Sequence, residues 1–316
     1  MSRICALYSI SLIPTRVCYQ GLFRQRTAIP LLSYIRGMIW RRDSANPEAE
    51  MGFFDHVEAL RWHLLRSAIA IIICASVVGY FYDIVFEKVI LGVTSKDFPT
   101  YRLLCYVSQK LQIGQAVCID HDIPMSLQNL TMFGQITLLV QYSIILGLVI
   151  AFPYIIWELW RFVAPALHEE EAKKTSRIIL ACSFFFFVGV AFCYFVIIPF
   201  SVNFAVSFSI SPKIKNEFTI DSYIDFFTVM LLAIGAVFEL PMVVYFLSKF
   251  GILTAKIMRS TRRYAVVVIL VASGIITPSP DMFTQCLVAV PIYMLYEFSI
   301  FIAARNERKR NVLPTA

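Results

Sequence analysis

Charged residues are scarce in this chain. Only 16% of its 316 residues are Asp, Glu, Lys or Arg, whereas 59% are hydrophobic and 27 residues are Phe. Soluble domains carry about 25% charged residues, so this composition excludes a soluble globular protein. The sequence is that of an integral membrane protein.

The common signatures of catalysis and metal binding are also missing from the sequence. There is no Gly-rich phosphate-binding loop, no zinc-type spacing of Cys and His and no nucleophile elbow. The four histidines are scattered, at His56, His63, His121 and His168, which argues against a shared metal site. We therefore expect no metal, no cofactor and no enzymatic activity.

Long apolar runs are what the chain has instead. A transmembrane helix needs about 20 apolar residues, and six segments reach or approach that length: Leu64–Phe86, Met132–Trp157, Ile178–Phe200, Phe226–Ser248, Tyr264–Thr277 and Met282–Ala304. The fifth is short, because prolines follow it at once. We predict an all-α polytopic membrane protein with six transmembrane helices, N-in/C-in, in which the fifth and sixth form a short hairpin.

The basic residues set the predicted orientation, because Lys and Arg concentrate in cytoplasmic loops. With six spans and an inside N-terminus, 22 of the 28 Lys and Arg residues lie inside and six outside. A re-entrant fifth segment would instead place the basic cluster that starts at Arg305 outside. The sequence therefore favours six full crossings, with local thinning of the bilayer around the short fifth helix. The net charge of +7 then belongs mostly to this topology and to attraction toward anionic lipids of the inner leaflet, and we expect membrane lipids but no nucleic acid among the partners.

The chain divides into three predicted parts. Residues 1–50 form an extension outside the folded body, residues 51–304 one membrane domain, and residues 305–316 a basic cytoplasmic tail. Residues 1–42 contain seven Arg and no acidic residue, which is typical of an organellar transit peptide. The interpretation we favour is a start codon assigned too far upstream, with the true start at Met38 or Met51. The protein is then expected in a bacterial inner membrane, the alternative being an organellar one.

The outer loop between the first two spans carries two cysteines, Cys105 and Cys118. In an oxidising compartment they are candidates for a disulfide that closes a small loop, and two free thiols are the alternative. The apolar residues around Cys105 predict a short amphipathic helix that caps the outer face.

One carboxylate lies in an unexpected place. Glu239 is the only charged residue between Phe226 and Ser248, and an ionisable group in the bilayer costs roughly 2.5–3.5 kcal/mol on insertion scales. It is a functional candidate by default. The alternative is a protonated packing residue, since Pro241 can free a backbone carbonyl as its partner. We expect Glu239 to face a groove of the helix assembly and not the lipid.

Two further segments place charges at the cytoplasmic ends of the spans. The apolar residues of FFDHVEALRWHLLRS (53–67) follow helical spacing and predict an amphipathic helix lying at the inner interface before the first span. In FPYIIWELWRFVAPALHEEEAKK (152–174), Pro165 ends the helix and the triplet Glu169, Glu170 and Glu171 follows. Such a triplet is, from the residues alone, most often a solvated loop.

Five motifs together resemble those of the TatC family. Members of this family are the TatC subunits of the twin-arginine protein translocase. In chain order they are HVEALR (56–61), FPYIIWELWRFVAPALHEEE (152–171), GVAFCYFVIIP (189–199), FELP (238–241) and TPSPDMFTQCLVAVPIYMLYE (277–297). The similarity covers about residues 51–304. No single motif is specific for this family. The five motifs in this order, together with six spans, are highly specific for it.

The resemblance implies a receptor that binds twin-arginine signal peptides and assembles with the single-span partners TatA and TatB. The complex would export folded proteins using the proton-motive force, and several copies of the chain would be present in it. By motif position Glu171 matches the loop glutamate that holds the signal's arginines, with Glu58 and Arg61 at the amino-terminal site. The family commonly has HLEELR, and Ala59 here replaces the second glutamate, which weakens the assignment of Glu58.

Other motif positions carry further implied roles. Glu239, with Pro241, matches the family's intramembrane contact to TatA and TatB. Structural roles are as plausible as direct ones for the remaining matches, which are Phe162, Pro165, Asp281, Gln285 and Glu297.

A function from another class is the alternative. In a proton-coupled secondary transporter, Glu239 and Glu297 would be the titrating pair at a site near the middle of the membrane. Such transporters usually show inverted repeats, and none is detectable in this sequence.

Overall fold

The computed structural model describes residues 53–111, 125–163, 175–211, 213, 216–277 and 282–312. Nearly all of them are helical. The parts of the sequence analysis that lie outside the described residues are the extension 1–50, Met51, Cys118, His121, Pro165, His168, Glu169, Glu170, Glu171 and Asp281.

The first two spans form an antiparallel pair. Helix α1 runs from Phe53 to Tyr80 without interruption, so the predicted interfacial helix and the first span are one helix. Its partner is the second span, helix α4 (Gly134–Val163). The two backbones approach closely, since a Cβ atom built on Gly147 of the partner would lie 2.6 Å from the backbone nitrogen of Ala75. Only glycine fits at that position.

The outer connection is ordered up to residue 111. It contains α2 (Tyr82–Ile84), a π-helical stretch (Val85–Ile90), a 3₁₀ stretch (Leu91–Thr94) and α3 (Pro99–Leu111). Helix α3 confirms the predicted outer helix. Cys105 in α3 is disulfide-bonded. Because Cys118 lies outside the described residues, the pairing of the two stays a prediction.

Helix α3 is held against the outer end of the third span. The Tyr101 hydroxyl donates to the Pro199 carbonyl at 3.2 Å, and the Thr100 hydroxyl donates to the Phe195 carbonyl. Burial raises the pKa of Tyr101, which keeps its hydroxyl a donor. The connection is therefore a packed cap on the outer face.

The second and third spans follow. Helix α4 is Gly134–Val163, and the third span consists of α5 (Thr175–Phe192), a π-helical stretch (Cys193–Ile197) and α6 (Ile198–Ser207). Between α3 and α4, strand β1 (Leu127–Gln128) pairs in parallel with strand β2 (Phe218–Thr219). This short sheet ties the two outer loops together.

The fourth span is broken in two. Helix α7 (Ile220–Val237) starts where Thr219 Oγ1 accepts a hydrogen bond from the Ser222 N–H, and α8 is Leu240–Lys249. The break at residues 238–239 precedes Pro241, which has no N–H to donate to the preceding turn. Helix α8 ends before Gly251, whose φ of 76° suits glycine.

The last three helices complete the fold: α9 (Ala255–Ser260), α10 (Arg262–Ile276) and α11 (Met282–Val312). Among the described residues, five segments are long and apolar enough to cross a membrane: Glu58–Tyr80, Gly134–Val163, Ser176–Ser207, Ile220–Lys249 and Met282–Arg308. The predicted fifth span is α10, whose 15 residues extend about 22 Å.

Successive spans are antiparallel. The ring of Phe152 in α4 stacks on Phe186 in α5, Gly189 of α5 meets Phe238, and Gln285 of α11 donates to the Leu270 carbonyl of α10. The fourth span is the most buried and the first the least. The protein is thus a six-span helical membrane protein with both ends of the bundle on one side, as predicted.

Candidate functional site

The inner ends of α1 and α4 are joined by a buried carboxylate. Glu158 of α4 has no exposed surface. Its Oε1 accepts a hydrogen bond from His63 Nδ1 at 2.9 Å and another from Arg66 Nη1 at 3.2 Å. Arg161 Nη1 lies 3.5 Å from Oε2, which accepts no hydrogen bond within the described residues. We call these four residues the Glu158 cluster.

The cluster offsets the cost of burying its carboxylate. A buried carboxylate is unfavourable unless cations and hydrogen-bond donors surround it, and two arginines and a histidine do so here. The cluster therefore fixes α1, at about its fourth turn, to the last two turns of α4.

Sequence reasoning missed Glu158. The predicted second span ended at Trp157, which assigned Glu158 to the cytoplasmic loop, but α4 continues to Val163. The sequence pattern that could have identified Glu158 is the one that identified Glu239, namely a carboxylate between large apolar residues. It was overlooked because it lies at the end of the apolar run and not within it.

Aromatic residues also pack the inner end of α4 against its neighbours. Phe162 is half-buried, and its ring centroid lies 6.0 Å from that of His63, in an edge-on arrangement. On another face of α4, Trp160 is buried against residues of α5 and α8 and lies 5.2 Å from the Phe246 ring. The inner end of α4 is thus fixed to three helices at once.

Glu58 and Arg61 lie on α1 beyond this fixed point. Both side chains are exposed, and neither makes a hydrogen bond or ion pair within the described residues. At 1.5 Å per residue, Glu58 lies about 7 Å along the helix from His63, toward the cytoplasm. It is a free carboxylate on a rigid support.

Glu239 sits at the break in the fourth span. Its side chain is half-buried and lies beside the Cys182 thiol and the Phe186 backbone, both in α5. Its Oε1 is buried without a hydrogen-bond partner within the described residues. The carboxylate therefore faces the adjoining third span while part of it stays accessible, and Pro241 next to it is buried.

Gln285 and Glu297 connect the last two spans. Gln285 donates from Nε2 to the Leu270 carbonyl at 2.9 Å. Glu297 accepts from Arg262 at 2.7 Å and from the Tyr293 hydroxyl at 3.2 Å. Within the described residues the contacts of Glu297 and those of Glu239 have no member in common.

The structure therefore brings together only some of the residues singled out in the sequence. Glu58, Arg61 and Phe162 gather around the inner ends of α1 and α4, whereas Glu239 belongs to the third and fourth spans. Glu171 follows the end of α4 by eight residues in the sequence, outside the described part. Among the described residues, no group of three or more His, Cys, Asp or Glu is placed to hold a metal ion.

Comparison with known proteins identifies the family. The family model for TatC, the Sec-independent protein translocase protein, matches residues 55–291. A curated Sec-independent protein translocase protein TatC from Blattabacterium sp. subsp. Periplaneta americana (strain BPLAN) is 33% identical over 265 residues, covering 84% of this chain and 99% of the relative. The corresponding protein of Halalkalibacterium halodurans is 32% identical, covering 83% of this chain and 92% of the relative.

A solved structure agrees with this. The crystal structure described as the twin-arginine translocase receptor TatC is 29% identical, with a TM-score of 0.60, over 80% of this chain and 100% of that chain. The resemblance inferred from the five motifs is confirmed, as is the prediction of a multi-pass protein of the bacterial inner membrane. The chain belongs to the TatC family of Sec-independent protein translocase proteins.

Proposed function

We propose that this chain is the receptor subunit of a twin-arginine translocase, and that it binds the signal peptide at the cytoplasmic ends of its first two spans. The observation that carries the proposal is Glu58, an exposed carboxylate without a partner among the described residues, on a helix that the Glu158 cluster holds in place. A solved relative is described as a twin-arginine translocase receptor, which supports the same role.

The chemistry of recognition follows from the residue types. A guanidinium donates paired, charge-assisted hydrogen bonds to carboxylates, so two arginines are matched by two carboxylates on one surface. Glu58 is one of them, and Glu171, which follows α4 by eight residues in the sequence, is the other. Because Ala59 stands where the family commonly has a second glutamate, Glu171 carries the larger share of binding in this chain.

Glu239 has a separate part in the proposal. A half-buried carboxylate with one oxygen unsatisfied gains stability when a polar group from another helix reaches it. We assign it, with Pro241, to contact with single-span partners of the TatA and TatB type. The complex, with several copies of this chain, would export folded proteins using the proton-motive force.

Binding of a synthetic twin-arginine signal peptide to the purified full-length protein tests the receptor role. Glu171→Lys should weaken binding at least about tenfold, since it replaces attraction for two arginines by repulsion, and Glu58→Ala should weaken it less. A signal peptide with two lysines in place of the arginines should bind weakly to every form. Unchanged binding in Glu171→Lys would remove this residue from the site.

The control variant is Glu87→Gln, which removes an exposed carboxylate on the opposite face of the membrane. It should bind the signal peptide as the native chain does. Equal losses in Glu87→Gln and Glu171→Lys would show a general effect of net charge, and would contradict a specific site.

A further inference from the structure

A cavity with several arginines lies at the cytoplasmic end of the last three helices. It has a volume of about 460 Å³, and four arginines line it: Arg259 of α9, Arg262 of α10, and Arg305 and Arg308 of α11. A smaller cavity of about 350 Å³ adjoins it through Arg259 and Arg308 and adds Lys256. We call the two together the basic cavity.

The positive charge of the basic cavity is largely uncompensated. Arg262 is paired with Glu297 at 2.7 Å, and Glu307 lines the smaller part. Arg259, Arg305 and Arg308, in contrast, make no ion pair within the described residues. Guanidinium groups gathered around one space repel each other, so an anion that enters it is stabilised by all of them.

The backing of the cavity is rigid. Helix α9 packs on α11 through a buried apolar cluster that includes Met258 and Ile300. The Tyr296 hydroxyl also donates to the Met258 carbonyl at 2.8 Å. Arg259 is the next residue along the chain, so its backbone is fixed relative to α11 before any ligand binds.

One wall of the cavity is apolar and continues into the membrane. Ile300, Phe301 and Ala304 line it, and the Phe301 side chain is 63% exposed. The lipid-facing residues of α10, such as Val267 and Val268, are exposed as well. A ligand here meets cations at one end and hydrocarbon at the other.

The short fifth span brings lipid headgroups to this depth. Helix α10 extends about 22 Å against a hydrocarbon core of about 30 Å, and the bilayer thins to match it. We propose that the basic cavity binds the phosphate of an anionic phospholipid of the inner leaflet, whose acyl chains lie along Phe301 and the exposed face of α10. A soluble anion would use the arginines but leave the apolar wall in water.

Native mass spectrometry of the full-length protein tests this. Detergent-solubilised protein is equilibrated with equal amounts of dioleoyl phosphatidylglycerol and dioleoyl phosphatidylcholine, and the lipid that stays bound is counted. The native chain should retain phosphatidylglycerol selectively. The double variant Arg305→Gln/Arg308→Gln should lower that selectivity about tenfold or more, since each basic residue near a lipid headgroup contributes several-fold.

The matched control is Arg177→Gln, which removes an exposed arginine at the inner end of α5, away from the cavity. It should keep the native selectivity. Equal retention of both lipids by the native chain would overturn the proposal without any variant being needed. So would an equal loss in Arg177→Gln.

Competition with inorganic phosphate and with glycerophosphoglycerol separates a lipid from a soluble anion. Neither should displace phosphatidylglycerol at millimolar concentration, because neither covers the apolar wall. Displacement by inorganic phosphate would show an anion site without lipid specificity and would contradict the proposal.

Discussion

Among the residues at the cytoplasmic face, Glu158 is the one whose replacement should lower the stability of the protein most. It is fully buried and joins two helices through His63 and Arg66. Glu158→Ala leaves Arg66 and Arg161 without the buried carboxylate beside them, and breaking a buried ion pair costs about 3–5 kcal/mol. We expect the variant to unfold at a clearly lower temperature than the native protein in the same detergent.

Glu158→Gln separates charge from shape at this position. The amide still accepts hydrogen bonds from His63 or Arg66, so its loss of stability should be smaller than that of Glu158→Ala. Glu87→Ala, an exposed carboxylate with no partner among the described residues, is the control and should leave the melting temperature unchanged. If Glu158→Ala melts as Glu87→Ala does, the cluster does not stabilise the fold.

Glu239 offers a test of partner docking at the residue scale. Glu239→Gln keeps a group that hydrogen-bonds but removes the ionisable one, whereas Glu239→Leu removes both. We expect Gln to retain export and crosslinking to a single-span partner and Leu to lose them, because the role assigned here is that of a hydrogen-bonding contact. Asp225→Asn, in the same span and paired with Gln141, is the control.

The outcomes at Glu239 distinguish three roles. A Gln variant as inactive as the Leu variant would point to proton exchange at this carboxylate. Normal export and crosslinking in both variants would leave Glu239 as a packing residue beside Cys182.

At the scale of elements, the α1–α4 pair depends on close backbone approach. A Cβ at Gly147 would lie 2.6 Å from the Ala75 nitrogen, so Gly147→Ala must push the helices apart, and such overpacking costs about 1–3 kcal/mol. Gly92→Ala is the matched control, because the nearest atom to its Cβ would be 3.9 Å away. Thermal unfolding of both variants measures the difference. Equal stability would show that the pair tolerates separation.

The sequence predicted the number of helical elements better than their ends. Apolar length located all six spans, but α4 runs six residues past its predicted end because Glu158 is buried by partners that are 92 and 95 residues away in the chain. The fourth span was predicted as a single run, Phe226–Ser248, and its break at residues 238–239, just before Pro241, was not predicted. Burial by distant residues is not visible in a local pattern.

At the scale of the whole molecule, topology follows from charge, whereas the arrangement of the spans does not. The distribution of Lys and Arg fixed the orientation, since that property is summed over whole loops. The apolar runs did not predict which span lies at the core of the bundle, because all of them are similarly apolar. The order of the motifs predicted the family. The contacts that the motif residues make, such as that of Glu297 with Arg262, could be seen only in the structure.

The central claim is that the signal's arginines are held between Glu58 on α1 and Glu171, which follows α4 in the sequence. Photo-crosslinking in living cells tests it most directly, with a photoreactive residue placed in turn at positions 58 and 171, and at position 87 as an outer-face control. The account predicts crosslinks from positions 58 and 171 to a twin-arginine signal peptide, lost when its two arginines are replaced by lysines, and none from position 87. Crosslinks that are absent from both inner positions, or that persist equally with the twin-lysine signal, would contradict it.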